Sequence, residues 1–169
     1  MRIGLLSDTH SHLDDLIFQY LEPCDEIWHA GDIGNEQTWD QLTAFKPCRG
    51  VTGNIDGAVL RRMLPETLNF ELEGVKTSII HIAGAAGKYN FEARKLITAT
   101  TPKLFICGHS HILKVQYDKN LQMLHVNPGA AGVHGFHAIR TLLRFTISEG
   151  NISNMEVVEL GKRGAITKK

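Results

Sequence analysis

Short apolar runs alternate with segments of helical spacing through the first third of the chain. Each run stops at glycine or polar residues, which predicts a buried strand, whereas the longer segments repeat apolar residues at helical intervals. The predicted strands are 2–6, 26–30 and 48–52, and the predicted helices are 13–23 and 35–45. Strand and helix in alternation are typical of a parallel sheet covered by helices.

The second half of the sequence changes to pairs of apolar segments that flank short turns, such as Glu73-Gly74. Such pairs predict β-hairpins, so we expect this half to be mostly antiparallel. The predicted hairpins are 68–72 with 75–82, 112–118 with 121–126, and 141–147 with 152–160; helix 89–100 and strand 103–107 complete the set. The full pattern predicts one α/β domain over 1–160, with two mixed sheets, and a flexible basic tail over 161–169.

Charge and cysteine content narrow the classes of function. Lysine plus arginine and aspartate plus glutamate each number 18, which argues against a dedicated nucleic-acid or membrane-surface binder. No apolar run approaches the ~18 residues of a membrane span, and the apolar start is too short for a signal peptide. Three cysteines without a CxxC motif favour a reducing compartment, so we expect a cytoplasmic protein. Homo-oligomer formation stays open.

Polar residues that can bind metal follow five of the predicted strands. They are Asp8 and His10, Asp32, Asn54 and Asp56, His81, and His109 with His111; Asn127 ends a further strand. Alone, Asp8 could cap a helix, Asp32 or Asn54 could serve a turn, and His81 could be a core histidine. Strand carboxyl ends are where open α/β sheets gather their sites, so the repeated placement favours one shared site.

The residue types at these positions fit one kind of chemistry. Imidazole, carboxylate and amide oxygen without cysteine suit Mn²⁺, Fe²⁺ or Zn²⁺. Two such ions ~3.5–4 Å apart stabilise attacking and leaving oxygens in phosphoryl transfer. If the segments "DTH" (8–10) and "HSH" (109–111) are extended, the alternate residues of each point to one side.

The ordered motifs resemble those of calcineurin-like metallophosphoesterases, above all the small single-domain phosphodiesterases of bacteria and archaea. The motifs are "SDTH" at 7–10, "GD" at 31–32, "GN" at 53–54 with Asp56, His81, "GHSH" at 108–111 and "NPG" at 127–129. The resemblance implies a four-layer α/β/β/α sandwich of two mixed sheets flanked by helices. It also implies two divalent metal ions, with Mn²⁺ expected and Fe²⁺, Ni²⁺ or Zn²⁺ as alternatives. A hydroxide bridging the ions would attack a small phosphodiester substrate in line.

The same resemblance assigns roles to individual residues. It implies that Asp8, His10 and His111 hold the first ion. Asn54, His81 and His109 would hold the second ion, and Asp32 would bridge the two. The catalytic residues would be Asp32, Asn54 and His81, and the expected substrate-binding residues are His12, Asp56 and His134.

The sequence departs from the family pattern at three places. Ile55 stands where many relatives have a histidine near the leaving group, so the obvious general acid is missing. Ala83 replaces the second histidine of an "HGH" motif, and 84–87 reads as a bare loop. His134 and His137 are additional, and we expect them at the surface or behind the metal ligands.

Two other functions remain open beside the phosphodiesterase. One retromer subunit has this fold and works as a non-catalytic scaffold, but it lacks the histidine at the position of His10. A phosphomonoesterase acting on a small metabolite would use the same site, and the sequence does not separate it from a diesterase.

Overall fold

The computed structural model describes residues 1–164, which contain twelve strands and four helices. In chain order the elements are β1 (Arg2–Leu6), α1 (Asp15–Leu21), β2 (Glu26–His29), α2 (Glu36–Phe45), β3 (Cys48–Gly50), α3 (Ala58–Met63), β4 (Thr67–Leu72), β5 (Val75–Ile80), β6 (Gly84–Ala85), β7 (Lys88–Tyr89), α4 (Phe91–Thr100), β8 (Leu104–Ile106), β9 (Lys114–Asp118), β10 (Met123–Asn127), β11 (Ile139–Ser148) and β12 (Asn151–Lys162). No helix among the described residues is long and apolar enough to cross a membrane.

The strands form two five-stranded mixed sheets. The first has the order β12-β11-β1-β2-β3, and β1, β2 and β3 run parallel within it. The second has the order β4-β5-β8-β10-β9, and its three central strands are also parallel. The prediction of a mostly antiparallel second half is therefore wrong for the centre of this sheet. The reason is that α4 crosses between β5 and β8, and β9 lies outside β10 rather than beside β8.

Apolar side chains fill the space between the two sheets and the space under the helices. Trp28 and Phe145 of the first sheet are fully buried with Ile79 and Val126 of the second. Ile17 and Leu21 of α1 and Leu42 of α2 pack on the outer face of the first sheet, and Ala93 and Ile97 of α4 pack on the second. These four layers are the predicted α/β/β/α sandwich.

Three short elements were not predicted, and several boundaries differ by one to two residues. Helix α3 has only six residues, and the strands β6 and β7 form a two-residue-per-strand hairpin where a bare loop was expected. Strand β12 runs to Lys162, two residues beyond the predicted domain end at 160. The remainder of the predicted tail, 165–169, lies outside the described residues.

Candidate metal centre

The polar residues singled out by sequence lie just beyond the carboxyl ends of strands from both sheets. Asp8, Asp32 and Asn54 follow β1, β2 and β3 of the first sheet, whereas His81 and His109 follow β5 and β8 of the second. The centre therefore sits where the corresponding edges of the two sheets meet.

Asp8, His10 and His111 form the first group of potential metal ligands. One atom from each lies within 4.8 Å of the others. Asp8 is completely buried, and its Oδ1 lies 3.2 Å from His111 Nε2. The other carboxylate oxygen, Oδ2, accepts the backbone N–H of His109 at 3.1 Å, which fixes the carboxylate and leaves Oδ1 directed at the histidines.

Asp32, His81 and His109 form the second group, again with one atom of each within 4.8 Å of the others. His81 Nε2 lies 3.2 Å from Asp32 Oδ1. Asn54 joins this group, because its Oδ1 lies 2.9 Å from His109 Nδ1 and 3.2 Å from His81 Nε2.

The carboxylate of Asp32 connects the two groups. Its Oδ2 lies 3.6 Å from His10 Nε2 in the first group, and its Oδ1 faces His81 in the second. The backbone N–H of Ile55 also donates to Oδ1 at 3.1 Å. One side chain thus presents one oxygen to each group, which is the geometry expected of a bridging ligand.

The polar atoms of the centre fit a divalent cation. Asp8 Oδ1 and His10 Nε2 are buried without a hydrogen-bond partner, and such atoms are costly unless something else satisfies them. His81 Nδ1 donates to the carbonyl of Ala30 at 2.7 Å, so in the neutral ring the lone pair of Nε2 faces the oxygens of Asn54 and Asp32. Converging lone pairs of this kind suit a cation.

Burial and charge oppose each other in the protonation of these groups. Burial lowers the pKa of His10, although Asp32 and Asp8 pull in the other direction. Burial also acts to lower the pKa of His81, but Asp32 and Asp8 outweigh it and raise the pKa overall. For Asp32, burial acts to raise the pKa, and the hydrogen bond and charge of His81 outweigh it, leaving the pKa lowered.

Five of the potential ligands have left-handed backbone conformations. Their φ angles are +55° at Asp8, +47° at His10, +55° at Asp32, +66° at His109 and +57° at His111. The segments 8–10 and 109–111 are therefore not extended, so the condition under which their alternate residues would point to one side is not met. Convergence comes from these left-handed residues rather than from the alternation of an extended strand, since positive φ swings each side chain out of the strand direction.

Asp56 was expected to contact substrate, but its carboxylate faces the backbone instead. Its side chain is buried, Oδ1 accepts the N–H of Gly34 and Oδ2 accepts the N–H of Gly53, each at 2.8 Å. Both oxygens are thus occupied by backbone groups, and Asp56 ties the loop after β2 to the loop after β3. Arg61 supports the second loop by donating to the carbonyl oxygens of Asp56 and Gly53.

The histidines beyond the two groups divide between the rim and the core. His12 Nε2 lies 3.3 Å from Oδ2 of Asp14, the residue that caps α1. His134 is exposed, with its ring centre 5.9 Å from that of His10, so it stays beside the first group. His29 and His125 are buried, as expected of core residues.

Asn127 and His137 act on the 108–111 segment from behind. Asn127 Nδ2 donates to the Gly108 carbonyl at 2.8 Å and to Ser110 Oγ at 3.1 Å. His137 Nδ1 lies 3.3 Å from His111 Nδ1, and burial lowers the pKa of His137. The sequence predicted that His137 lies at the surface or behind the metal ligands, but it did not pair His137 with His111. The glycines that precede His137 were the sequence signal that could have indicated such close packing.

Two cavities flank the centre. One of about 450 Å³ is lined by Asn54, Arg61 and His81 among others, and one of about 260 Å³ is lined by Ala83, His109 and Ile112 among others. The centre thus has open space on two sides.

The two-sheet sandwich, with two groups of aspartate and histidine side chains at its strand ends, indicates that this protein is of the metallophosphoesterase class. The family model for the calcineurin-like phosphoesterase superfamily domain matches residues 1–150. The chain therefore belongs to this superfamily. Metallophosphoesterases use divalent metal ions, and the two groups described above are the candidate sites in this chain.

One curated relative agrees with this assignment, and two solved structures share the fold. A probable metallophosphoesterase of Methanothermobacter thermautotrophicus is 27% identical over 138 residues, which cover 79% of this chain and 78% of that protein. A solved archaeal phosphodiesterase has a TM-score of 0.76 at 20% identity, covering 95% of this chain and 100% of the other. Vps29 of Entamoeba histolytica complexed with zinc has a TM-score of 0.72 at 17% identity, covering 94% and 99%. These two structures establish similarity of fold.

Proposed function

We propose that this chain is a metal-dependent phosphodiesterase that hydrolyses a small phosphodiester. The observation that carries the proposal is the position of Asp32, whose two carboxylate oxygens face two separate groups of potential ligands. Two divalent ions, for which Mn²⁺ is our first choice, would supply positive charge to the transition state and lower the pKa of water at neutral pH.

The residues of the chain contribute orientation and charge to this reaction. The buried carboxylates of Asp8 and Asp32 bring two negative charges against the four positive charges of two ions, so the loaded centre attracts an anionic phosphate ester. Asn54 and His81 complete the group nearer the larger cavity. All the ligands that the family resemblance requires are present, which favours an enzyme over a scaffold.

The cavities favour a diester over a monoester. A phosphodiester carries two substituents on phosphorus, and the centre has a cavity on the side of Asn54 and another on the side of His109. A monoester would fill only one of them. The 260 Å³ cavity is lined by small or aliphatic residues of 82–86 and by Ile112, with Lys114 also at its wall, so it offers a substituent mainly apolar surface and one positive charge.

Metal reconstitution with paired substrates tests the proposal. The protein is stripped with a chelator and reloaded with Mn²⁺, Fe²⁺, Ni²⁺ or Zn²⁺ before kcat/KM is measured for bis(p-nitrophenyl) phosphate and p-nitrophenyl phosphate. We expect metal-dependent turnover, the higher value for the diester, and a loss in Asp32→Asn that exceeds the ~10–100-fold typical of a residue behind the ligands. Asp40→Asn, an exposed aspartate on α2, is the matched control.

Two results of this experiment would contradict the proposal. Preference for the monoester would indicate a phosphomonoesterase. Full metal loading without hydrolysis of either substrate, or of a panel of cyclic nucleotides and alkyl diesters, would indicate a scaffold.

A further inference from the structure

His111 and His137 form a direct contact behind the first group of ligands. Their Nδ1 atoms lie 3.3 Å apart. The other ring nitrogen of His137, Nε2, lies 3.2 Å from the carbonyl oxygen of Gly132. His137 is thus placed between a backbone carbonyl and a potential metal ligand.

The chemistry of the partners determines where the protons lie. A carbonyl oxygen can only accept, so Nε2 of His137 carries hydrogen and donates to Gly132. The neutral ring of His137 then has a lone pair at Nδ1, which requires hydrogen on Nδ1 of His111. His111 Nε2 is then left with its lone pair 3.2 Å from Asp8 Oδ1, an arrangement of two acceptors that a bound cation would satisfy.

Gly132, whose carbonyl oxygen lies beside His137 Nε2, is itself hydrogen-bonded to Asp8. The N–H of Gly132 donates to the carbonyl of Asp8 at 3.0 Å, and a Cβ at Gly132 would lie 2.6 Å from that oxygen. The hydrogen bonds therefore run from the Asp8 backbone through Gly132, His137 and His111 to a ring nitrogen that faces the Asp8 carboxylate.

Gly135 allows the loop to approach His111 this closely. Its φ is +117°, and a Cβ there would lie 2.0 Å from His111 Nδ1 and 3.2 Å from His137 Nδ1. Any side chain at this position would separate the two imidazoles, so the glycine and the histidine contact belong to one arrangement.

We propose that His137 is a positioning residue that holds His111 in the Nδ1–H tautomer, with Nε2 aimed at the first metal ion. The inference rests on the proposed metal centre, because without a cation the carboxylate of Asp8 competes for a proton on His111 Nε2. Outer partners of this kind fix ring orientation, and their loss typically weakens metal binding ~10–100-fold.

The tautomer is measured first, in the metal-free full-length protein. Nitrogen-15 correlation spectra of the histidine rings, at a pH where His111 is neutral, report which nitrogen carries the proton. We expect the Nδ1–H form for His111 in the wild type and a mixture of both forms in His137→Ala. Phe136→Ala, a change at the fully exposed neighbour, should leave the spectrum of His111 as in the wild type.

Metal affinity is measured second, by calorimetric titration with Mn²⁺. His137→Ala should weaken the binding of one ion ~10–100-fold and leave the other unchanged. His137→Asn keeps an acceptor close to the position of Nδ1 and should restore most of the affinity and the tautomer, which a merely structural role would not predict. Thermal unfolding of each variant verifies the fold, and His137→Asn carries the test if His137→Ala fails to fold.

Specific results would overturn the inference. One is an Nε2–H tautomer for His111 in the wild type, and another is a His137→Ala protein with unchanged tautomer and Mn²⁺ affinity. A protein that shows the expected tautomers and affinities but hydrolyses no ester would refute the proposed function and leave the role of His137 intact.

Discussion

Ile55 follows Asn54 directly and stands beside the metal centre with 44% of its side chain exposed. It offers no proton to a leaving group, and a positioned acid is typically worth ~10²–10⁴-fold. We expect the wild type to hydrolyse aryl diesters far faster than alkyl diesters. Ile55→His should accelerate poor leaving groups selectively, which a plot of rate against leaving-group pKa measures.

The control for Ile55→His is Ile112→His, which adds an imidazole at the 260 Å³ cavity instead. It should keep the steep leaving-group dependence of the wild type. Equal slopes for the wild type and Ile55→His would mean that the proton comes from another group, with His12 and His134 as the candidates.

His29 supplies a pH dependence of stability. Burial lowers its pKa to about 4, and its Nδ1 accepts the Gly31 N–H. Between pH 6.5 and 4 the unfolded chain binds the extra proton, so stability rises with pH and is lost as pH falls through this window. Its contribution to the free energy of unfolding should fall by about 2 kcal/mol from pH 7 to 5.

Urea unfolding at both pH values measures this contribution by difference. Between pH 7 and pH 5 the free energy of unfolding of the wild type should fall by about 2 kcal/mol more than that of His29→Gln, because glutamine does not titrate. The same loss in both proteins would assign the acid sensitivity to other groups.

Single residues show where sequence reasoning succeeds and where it stops. Asp8, Asp32 and His81 could be found because strand ends converge and their types suit a cation. Asp56 has an equally suitable type and position, yet its carboxylate turns to backbone N–H groups. That orientation depends on the folded loops, which periodicity does not describe.

Among the elements, the loops after β2 and β3 depend on one carboxylate. Asp56 accepts from Gly34 in the first and Gly53 in the second. In Asp56→Asn an amide NH₂ replaces one carboxylate oxygen, so one donor faces another donor. We therefore expect the free energy of unfolding, measured with urea, to fall by ~1–3 kcal/mol. Asp40→Asn should change stability by less than about 0.5 kcal/mol. A similarly small effect at Asp56 would contradict the tie between the loops.

The long strands and helices and the three hairpins could be predicted, whereas the parallel pairing of β5, β8 and β10 could not. Strand β1 and the hairpin of β4 and β5 follow the hydrophobic pattern closely. Helix α3 spans less than two turns, and β6 and β7 have two residues each, too few for either period to appear. The parallel centre of the second sheet is a long-range property that no local window contains.

For the whole molecule, the centre joins the two sheets, because Asp8 and Asp32 belong to one and His81 and His111 follow strands of the other. An ion bound only by the folded state stabilises it by about 2.7 kcal/mol at 100 times its Kd. We expect Mn²⁺ at that excess to raise Tm by roughly 5–10 °C. Asp32→Asn should lose most of this rise in thermal scans and Asp40→Asn should retain it; equal rises would place the metal elsewhere.

The left-handed turns of the centre imply a trade-off between stability and function. Each such residue costs roughly 1–2 kcal/mol relative to an ordinary backbone conformation, and five potential ligands share it. His109 is exposed, so we expect the free energy of unfolding of His109→Gly to be about 1 kcal/mol higher than that of His109→Ala. Both variants lack the imidazole. Glycine at these five positions would relieve the backbone strain but remove every ligand atom that they supply, so this strain is the stability that the proposed metal centre costs.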